Sequence, residues 1–337
     1  MPPVRSGAQF SEQSLELLGG SSHFGDAVLP RGRSRRHWLP QQLHMPTLFL
    51  VQLLFAALAL VMAGLGLSLR VEDFRGLARR RRDVAIALAL QMIVLPALAY
   101  WLARGFQLPG PIAAGMVLLA ATPGSISANL YSHLFGGNVA FNIALTGVNT
   151  LLCALTLPLL STWAIAHFTG VVVELPMLFD RAFQTVGIVV IPVVLGMIVA
   201  AKAPVFAHRI GKKVKIVSAI VVVVFSLAAI VKEWAALSDG FLQVGGAVIA
   251  FNVLSLAVGF GVARAFKVPR PETMTIAFQV SVHNAIQAIY VALAVLDAPL
   301  MALPAAVYSI TMNLAALGFG VMMSRSRRAQ AATAAVA

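Results

Sequence analysis

The chain has 337 residues, a formal net charge of +13 and a mean hydropathy of +0.88; 59% of its residues are hydrophobic and 11% are charged. This composition excludes a soluble globular protein, because apolar runs of about twenty residues recur where a soluble core would show amphipathic periodicity. The basic residues fall in short loops, a pattern typical of membrane orientation, so the positive charge does not indicate a nucleic-acid partner. The single Cys153 lies within an apolar run and supplies neither a disulfide nor a metal site.

The first 45 residues are polar, rich in Gly and Ser, and contain no apolar run. This composition predicts a disordered extension. The alternative is a signal region around Arg35-Arg36, but no convincing small-residue cleavage site follows the pair. Because Met45 directly precedes the first apolar segment, we expect native translation to begin there and the extension before it to be dispensable.

Nine apolar segments follow, and each is predicted to be a transmembrane helix. They cover 47–69, 84–103, 111–135, 139–167, 181–201, 216–231, 241–264, 273–297 and 301–323. Residues 324–337 form a basic tail.

Lys and Arg residues are distributed unevenly between the two sides of the predicted helices. Seventeen fall in the loops after segments 1, 5 and 7 and in the tail, against three in the opposite loops. By the positive-inside rule, this asymmetry predicts that the C-terminus is cytoplasmic. We expect an integral protein of a bacterial inner (plasma) membrane.

Two loops carry nearly the same motif, and they indicate a duplicated unit. Arg104-Gly-Phe-Gln-Leu-Pro-Gly-Pro111 returns as Arg264-Ala-Phe-Lys-Val-Pro-Arg-Pro271. The predicted repeats are residues 46–168, which lack one helix, and residues 181–323. A unit with an odd number of helices must be inserted upside down relative to its copy, so the sequence predicts an inverted repeat.

One apolar segment in each repeat is interrupted by polar residues. The interruptions are Thr122-Pro-Gly-Ser-Ile-Ser-Ala-Asn129 and Gln279-Val-Ser-Val-His-Asn284. A helix broken in the membrane offers carbonyls to a cation and free N–H groups to a carboxylate, which is typical of secondary transporters. For the first interruption the alternative is an ordinary proline kink healed by hydroxyl groups; the second contains no Gly or Pro. The duplication predicts that the two interruptions meet near the bilayer midplane.

The side chains predicted deep in the membrane are neutral, since no carboxylate falls deep within a segment. Intramembrane carboxylates are the usual partners of transported cations. His283 is a titratable exception, and three roles are open to it: bridging two helices as a neutral imidazole, carrying a proton, or facing an anionic cargo.

The pattern resembles the bile acid:sodium symporter family over residues 50–320. The matching motifs are Gly64-Leu-Gly-Leu67, Gln91 followed by Pro96, Thr122-Pro-Gly-Ser with Asn129, Gly137-Asn-Val-Ala140, Thr146, and Gln279-Val-Ser-Val-His-Asn284, where the family reads Glu-Val-Gly-x-Gln-Asn. The resemblance implies an all-α membrane protein with core and panel domains and two crossing broken helices. Many family members have ten helices and some lack the first one. The resemblance implies that this chain, with about nine predicted helices, also lacks it.

The resemblance also implies two groups of site residues. The cation or proton group is Gln91, Asn129, Asn142, Thr146, Gln279 and His283. The substrate group is Ser125, Ser127, Asn129, Asn284 and Asn313.

Four residues depart from the family pattern at the ion positions. Gln279 stands where the family has the carboxylate shared by its two sodium sites. His283 stands where the family has the glutamine of the second sodium site. Two serines of the family are replaced by Ala128 and Asn142. We therefore expect the fold to carry over, but not tight sodium coupling, and sodium is a doubtful ligand; no other cofactor is expected.

The predicted function is secondary transport of a small organic anion by alternating access about a midplane site. Without a cation a monoanion would tend to leave the cell, so the open modes are export or equilibration, uptake of a neutral cargo, and proton coupling through His283. The alternative class is a transport-inactive membrane sensor or scaffold. An enzyme is not expected, because no paired carboxylates, metal cluster or activated nucleophile lies at depth. The partners are the cargo and the lipid bilayer, and nothing in the sequence indicates an oligomeric state.

Overall fold

The computed structural model describes residues 45–171, 175–207 and 241–336, with isolated residues between 209 and 231. These residues are almost entirely helical and contain no strand. The predicted disordered extension before Met45 and most of the sixth predicted segment (216–231) lie outside the described residues.

The helices follow the other predicted apolar segments closely. The first half contains α1 (Met45–Ser68), α2 (Val71–Ala78), α3 (Arg81–Ala89), α4 (Leu95–Gly105), α5 (Gly110–Ala120), α6 (Ser127–Leu134) and α7 (Val139–Thr169). The second half contains α8 (Leu175–Lys202), α9 (Phe241–Ala265), α10 (Arg270–Ser281), α11 (Ala285–Tyr290) and α12 (Leu303–Val336). The π-helical segment Leu90–Val94 joins α3 to α4, a second at Val291–Val295 extends α11, and a 3-10 turn at Pro299–Ala302 precedes α12.

Four described stretches are long and apolar enough to cross a membrane: Arg81–Gly105, Val139–Thr169, Val244–Ala265 and Pro299–Arg325. A fifth results if α1 and α2, which are bent by 73° at their junction, count as one span. Shorter apolar helices cover Gly110–Ala120, Val186–Lys202 and Ala285–Val295. The described chain is therefore an all-α protein with four or five membrane-length helices, and the count of nine stays a prediction.

The chain leaves the helical conformation at both predicted interruptions. Six residues separate α5 from α6, so this break is larger than an ordinary proline kink. Between α10 and α11 the break is three residues long and needs neither Gly nor Pro; Val282 has φ −112° and ψ 85° there. Three of the four helical halves beside the breaks are almost wholly enclosed, with residues 112–120, 272–281 and 285–290 all buried.

The two copies of the duplicated motif form the same turn. Gln107 and Lys267, at matching positions, have φ values of 53° and 56°, a left-handed conformation that is uncommon for residues other than Gly. In each copy the next residue closes the preceding helix, with Leu108 N donating to Ala103 O and Val268 N to Ala263 O, both at 3.0 Å. The duplicated sequence therefore specifies one local structure twice.

Two parts of the chain are helical although the sequence predicted a loop and a tail there. The first basic loop contains α2, whose start is capped because the Arg70 backbone N–H donates to the Asp73 carboxylate at 2.8 Å. Helix α12 continues to Val336, through most of the predicted tail. Alanine is frequent in that stretch and has the highest helix propensity, which favours continuation.

Helices α1 and α8 contact each other through backbone atoms. A Cβ added at Gly66 would collide with the Val193 carbonyl oxygen and lie 3.0 Å from the Gly196 Cα; one added at Gly196 would collide with the Ala63 carbonyl oxygen. Small residues at helix crossings permit this close approach. In a membrane the hydrophobic effect does not drive helices together, so close packing holds them instead.

We predict that Gly196→Ala lowers the midpoint of thermal unfolding in detergent. The added methyl group must separate two backbones, and overpacking of this kind costs about 1–3 kcal/mol. Gly187→Ala in the same helix is the matched control, because its nearest neighbour would be Ile191 at 3.9 Å. Equal unfolding midpoints for the two variants would contradict the contact.

Candidate functional site

The two broken helices cross and pair through their backbones. Gly124 and His283 form an antiparallel bridge. Ser125 N donates to Val282 O at 2.6 Å, and Asn284 N donates to Pro123 O at 2.9 Å. Each break thus supplies partners for backbone groups that the other break leaves without helical hydrogen bonds, and lipid could not supply them.

Only a glycine fits at position 124. A Cβ there would overlap the side-chain amide nitrogen of Gln279 and lie 2.6 Å from the Gln279 backbone oxygen. The side chain of Gln279 therefore lies directly against the first break, although it belongs to α10 of the second repeat.

Gln91 and His283 meet at one carbonyl oxygen of the first break. The Gln91 side-chain nitrogen donates to Thr122 O at 2.9 Å and lies 3.3 Å from Ala120 O. His283 Nδ1 lies 3.2 Å from the same Thr122 oxygen and 3.4 Å from the Gln91 nitrogen. Since a carbonyl can only accept, Nδ1 carries the hydrogen, and a neutral His283 presents Nε2 as an acceptor.

The imidazole of His283 is fully buried between two aromatic rings. It stacks on Phe251 with ring centroids 5.5 Å apart and meets Tyr308 edge-on at 5.5 Å. The Tyr308 hydroxyl donates to Ser281 O, the last carbonyl of α10, at 2.5 Å. These contacts fix the ring at the crossing, and its Nε2 has no hydrogen-bond partner.

A second polar group surrounds the Gln279 side chain. Thr146 Oγ1 lies 2.9 Å from Gln279 Oε1 and 2.8 Å from the Asn142 backbone oxygen. The Asn142 side-chain nitrogen donates to Ser132 Oγ at 2.9 Å. The structure therefore brings Gln279, Thr146 and Asn142 together, beside the crossing that holds Gln91 and His283.

The other predicted residues in the first break are less tightly engaged. Asn129 is 7% exposed, and neither atom of its amide has a hydrogen-bond partner. Ser125 and Ser127 are half-buried, with their hydroxyl oxygens 3.5 Å apart. No hydrogen bond links these three side chains to the second repeat among the described residues.

Asn284 and Asn313 have structural partners as well as the predicted cargo role. Asn284 Oδ1 accepts from the Gln287 backbone N–H at 3.2 Å and caps α11. Asn313 Oδ1 accepts from the Tyr131 hydroxyl at 2.9 Å, which joins α6 to α12. Sequence reasoning missed Tyr131, since a lone tyrosine at the end of an apolar segment carries no signal of its partner.

An ion pair in which only the carboxylate is buried is the other feature that sequence reasoning missed. The Arg80 guanidinium lies 2.6 Å from the carboxylate of Glu272, whose side chain is 4% exposed in the first turn of α10. Asn138 Nδ2 donates to the same carboxylate at 2.8 Å. Arg80 lies between the first two predicted segments and Glu272 lies between the seventh and eighth, and only the tertiary fold brings them together.

The site around the crossing contains several buried polar atoms without a partner. They are Gln91 Oε1, both amide atoms of Asn129, Asn142 Oδ1, Gln279 Nε2 and His283 Nε2. A buried polar atom without a partner costs about 1–3 kcal/mol, so this arrangement is suited to a polar guest. No group of three or more His, Cys, Asp and Glu side chains that could hold a metal occurs among the described residues. The site is polar but uncharged.

Comparison with known proteins agrees with this architecture. The sequence profile described as the Sodium Bile acid symporter family matches residues 55–239. The chain is 31% identical over 261 residues to the Uncharacterized sodium-dependent transporter YocS of Bacillus subtilis (strain 168). The aligned residues cover 76% of this chain and 78% of that protein.

More distant relatives come from plants and animals. The Probable sodium/metabolite cotransporter BASS1, chloroplastic, of Oryza sativa subsp. japonica is 25% identical over 75% of this chain and 61% of its own length. Human Sodium/bile acid cotransporter 4 is 28% identical over 80% of this chain, and again 61% of its own length is covered. The family profile and the Bacillus relative show that the chain belongs to the sodium bile acid symporter family, whose members are integral membrane transporters and not enzymes.

Proposed function

We propose that this protein is a secondary transporter of a small organic anion that works by alternating access about the crossing and does not depend on sodium. The observation that carries the proposal is that the Thr122 carbonyl accepts hydrogen bonds from both Gln91 and His283, so that N–H donors stand where a cation would bind. The plasma membrane of a bacterium is the proposed location, in line with the Bacillus relative.

The proposed architecture is nine transmembrane helices in two inverted repeats, with the cytoplasmic C-terminus that the loop charges predict. Two observations support the repeat. The matching turns at 104–111 and 264–271 have the same backbone conformation. The two breaks pair antiparallel, as expected when two equivalent elements of opposite orientation meet at one site.

An anionic cargo fits the polar character of the crossing. Asn129 offers an amide N–H group without a partner in the first break. In the described residues the buried carboxylate of Glu272 is paired with Arg80, so its negative charge is compensated. A carboxylate cargo would therefore meet hydrogen-bond donors there, and we assign Ser125, Ser127, Asn129, Asn284 and Asn313 to its binding.

The donors at the first break oppose sodium binding there. The oxygens of Ala120 and Thr122 face the Gln91 amide nitrogen, and Thr122 O also faces His283 Nδ1. Gln279, at the family's carboxylate position, is neutral, and its Oε1 lies against the Thr146 hydroxyl. Two cations without a nearby carboxylate would repel each other strongly in a medium of low dielectric constant. The names of the relatives include sodium, so this chain would differ from them in coupling.

The driving force then has two forms. Each negative charge moved inward against an inside-negative potential costs about 2.3 kcal/mol per 100 mV, so an uncoupled monoanion would leave the cell or equilibrate. A proton taken up at His283 Nε2 would cancel that charge. Measurement of pH changes during transport distinguishes the two forms.

The second candidate is a transport-inactive sensor or scaffold of the same fold. Replacement of the family's sodium carboxylate by Gln279 favours it, because loss of an ion ligand is tolerated when ions are no longer moved. Saturable uptake by the purified protein would contradict this candidate.

The first prediction concerns coupling. A thermal-shift screen of organic acids, including taurocholate and short-chain carboxylates, first identifies a cargo, whose uptake is then measured in proteoliposomes. We expect the rate to be unchanged when sodium is replaced by potassium, because N–H donors face the break carbonyls. Tight stoichiometric sodium dependence of the unmodified protein would contradict the proposal.

The second prediction tests His283. If His283 carries the coupled proton, uptake varies with pH and alkalinises the donor compartment, and His283→Gln abolishes both effects. His133→Gln, at an exposed position of α6, is the control and retains them. In the double variant Gln279→Glu/His283→Gln we expect sodium to stimulate uptake, since a carboxylate and an amide oxygen restore cation ligands. A pH response that survives His283→Gln would exclude this residue as the carrier.

The third prediction concerns access to the site. In a Cys153→Ala background, we expect cysteine at position 129 or 284 to react with a water-soluble thiol reagent and to be protected by the cargo. Leu130→Cys is the control, because Leu130 is 55% exposed on the apolar surface of the bundle and should be neither reached nor protected. Labelling at 129 and 284 that ignores the cargo would count against the site.

The fourth prediction concerns the crossing itself. Gly124→Ala should reduce transport strongly, because the new methyl group displaces the Gln279 side chain at an overpacking cost of about 1–3 kcal/mol. Gly318→Ala in α12 is the control, since no atom lies within 4 Å of its added Cβ. Wild-type transport in Gly124→Ala would show that the crossing is not kept during the cycle.

A further inference from the structure

The two matching turns have the same backbone but different chemistry. The 104–111 turn carries one basic residue, Arg104, whereas the 264–271 turn carries Arg264, Lys267 and Arg270. All four of these side chains are exposed. Because the backbone is the same, the difference lies in what each turn presents to its surroundings.

The phenylalanine shared by the two turns is used differently. Phe106 packs against α9, where a Cβ on Gly246 would lie 2.7 Å from its ring. Phe266 is 50% exposed, and the guanidinium carbon of Arg82 lies 5.9 Å from its ring centroid. This distance is within the range of a cation–π contact, so the start of α3 and the 264–271 turn form one surface.

The surface carries positive charge that no described acidic side chain neutralises. Arg82, Arg264, Lys267 and Arg270 form no ion pair among the described residues. The nearby carboxylate of Glu272 is buried and paired with Arg80. One guanidinium nitrogen of Arg270 donates to the Met323 backbone oxygen at 3.3 Å, which links α12 to the same surface.

We propose that this surface binds the phosphate-bearing headgroup of an anionic membrane phospholipid. Arg82 and Lys267 would hold the phosphate, and the exposed Phe266 ring would lie beside the glycerol and upper acyl chain. The position suits a lipid, because α9 ends and α3 begins here at the membrane surface, where basic and aromatic side chains meet headgroups. The inference concerns a surface outside the crossing and does not rest on the proposed cargo or its coupling.

The test compares lipids with the same acyl chains on the purified full-length protein. Phosphatidylglycerol or phosphatidylcholine is titrated into detergent micelles, and the unfolding midpoint and the lipid retained in native mass spectrometry are recorded. We expect phosphatidylglycerol alone to raise the midpoint. The double variant Arg82→Gln/Lys267→Gln should weaken its apparent affinity about 25-fold, from roughly fivefold for each charge removed.

The duplicated motif supplies the matched control. Arg104→Gln removes a basic residue from the 104–111 turn and should leave the phosphatidylglycerol response unchanged. An equal loss in Arg104→Gln would show a general charge effect and overturn the proposal. So would an undiminished response in the double variant.

Two further measurements cover the remaining outcomes. Soluble glycerol phosphate should not reproduce the midpoint shift; if it does, the surface binds a free anion and the lipid assignment is wrong. If the double variant is unstable in phosphatidylcholine, Lys267→Gln and Phe266→Ala are tested singly, because each should weaken phosphatidylglycerol binding while its unfolding midpoint in phosphatidylcholine stays unchanged. A full response in both single variants would equally overturn the proposal.

Discussion

The structure depends on two backbone hydrogen bonds between the breaks, Ser125 N to Val282 O and Asn284 N to Pro123 O. A helix interrupted within hydrocarbon exposes amide and carbonyl groups that lipid cannot satisfy. Here each interruption completes the other, so neither would be stable alone. The pairing also fixes the register of the crossing, and this register places the side chains of Gln279 and His283 against the first break. The site is therefore a consequence of how the two breaks satisfy their backbones.

The chemistry of the crossing is that of neutral groups held in place by many weak contacts. Gln91 is presented by a π-helical segment, a feature often found at functional sites, and it reaches across to the carbonyls that end α5. His283 is held by a carbonyl on one side and by aromatic rings on its faces. An uncharged site avoids the large cost of burying unpaired charge, and it leaves polar atoms available to a guest. Charge is instead concentrated at the ends of the helices, where Arg80 and Glu272 pair and where the 264–271 turn presents its basic residues.

The sequence was a good guide to the features that repeat and a poor one to contacts between distant segments. The apolar segments predicted the helices, and the polar interruptions predicted both breaks, because each is encoded by consecutive residues. The resemblance to a family grouped Gln279 with Thr146, and the structure places them 2.9 Å apart. The partner of Glu272 could not be predicted, since Arg80 lies far away in the chain and both residues sit in polar stretches with several other candidates. Helix α2 was missed because it lies in the basic loop after the first predicted segment, where the residues are mostly polar. Its stability comes from capping by Asp73 and from packing on α7.

The contact of Gly66 with Gly196 has a mechanical consequence. Two helices that touch through backbone atoms have no side-chain layer between them that could deform, so the distance between their axes is fixed at the contact. We therefore expect helices α1 and α8 to behave as one rigid unit. In the proposed alternating-access cycle, we expect the hinge in the segments that leave this unit, such as the bend of 73° between α1 and α2. Two glycines thus set how closely these two helices approach.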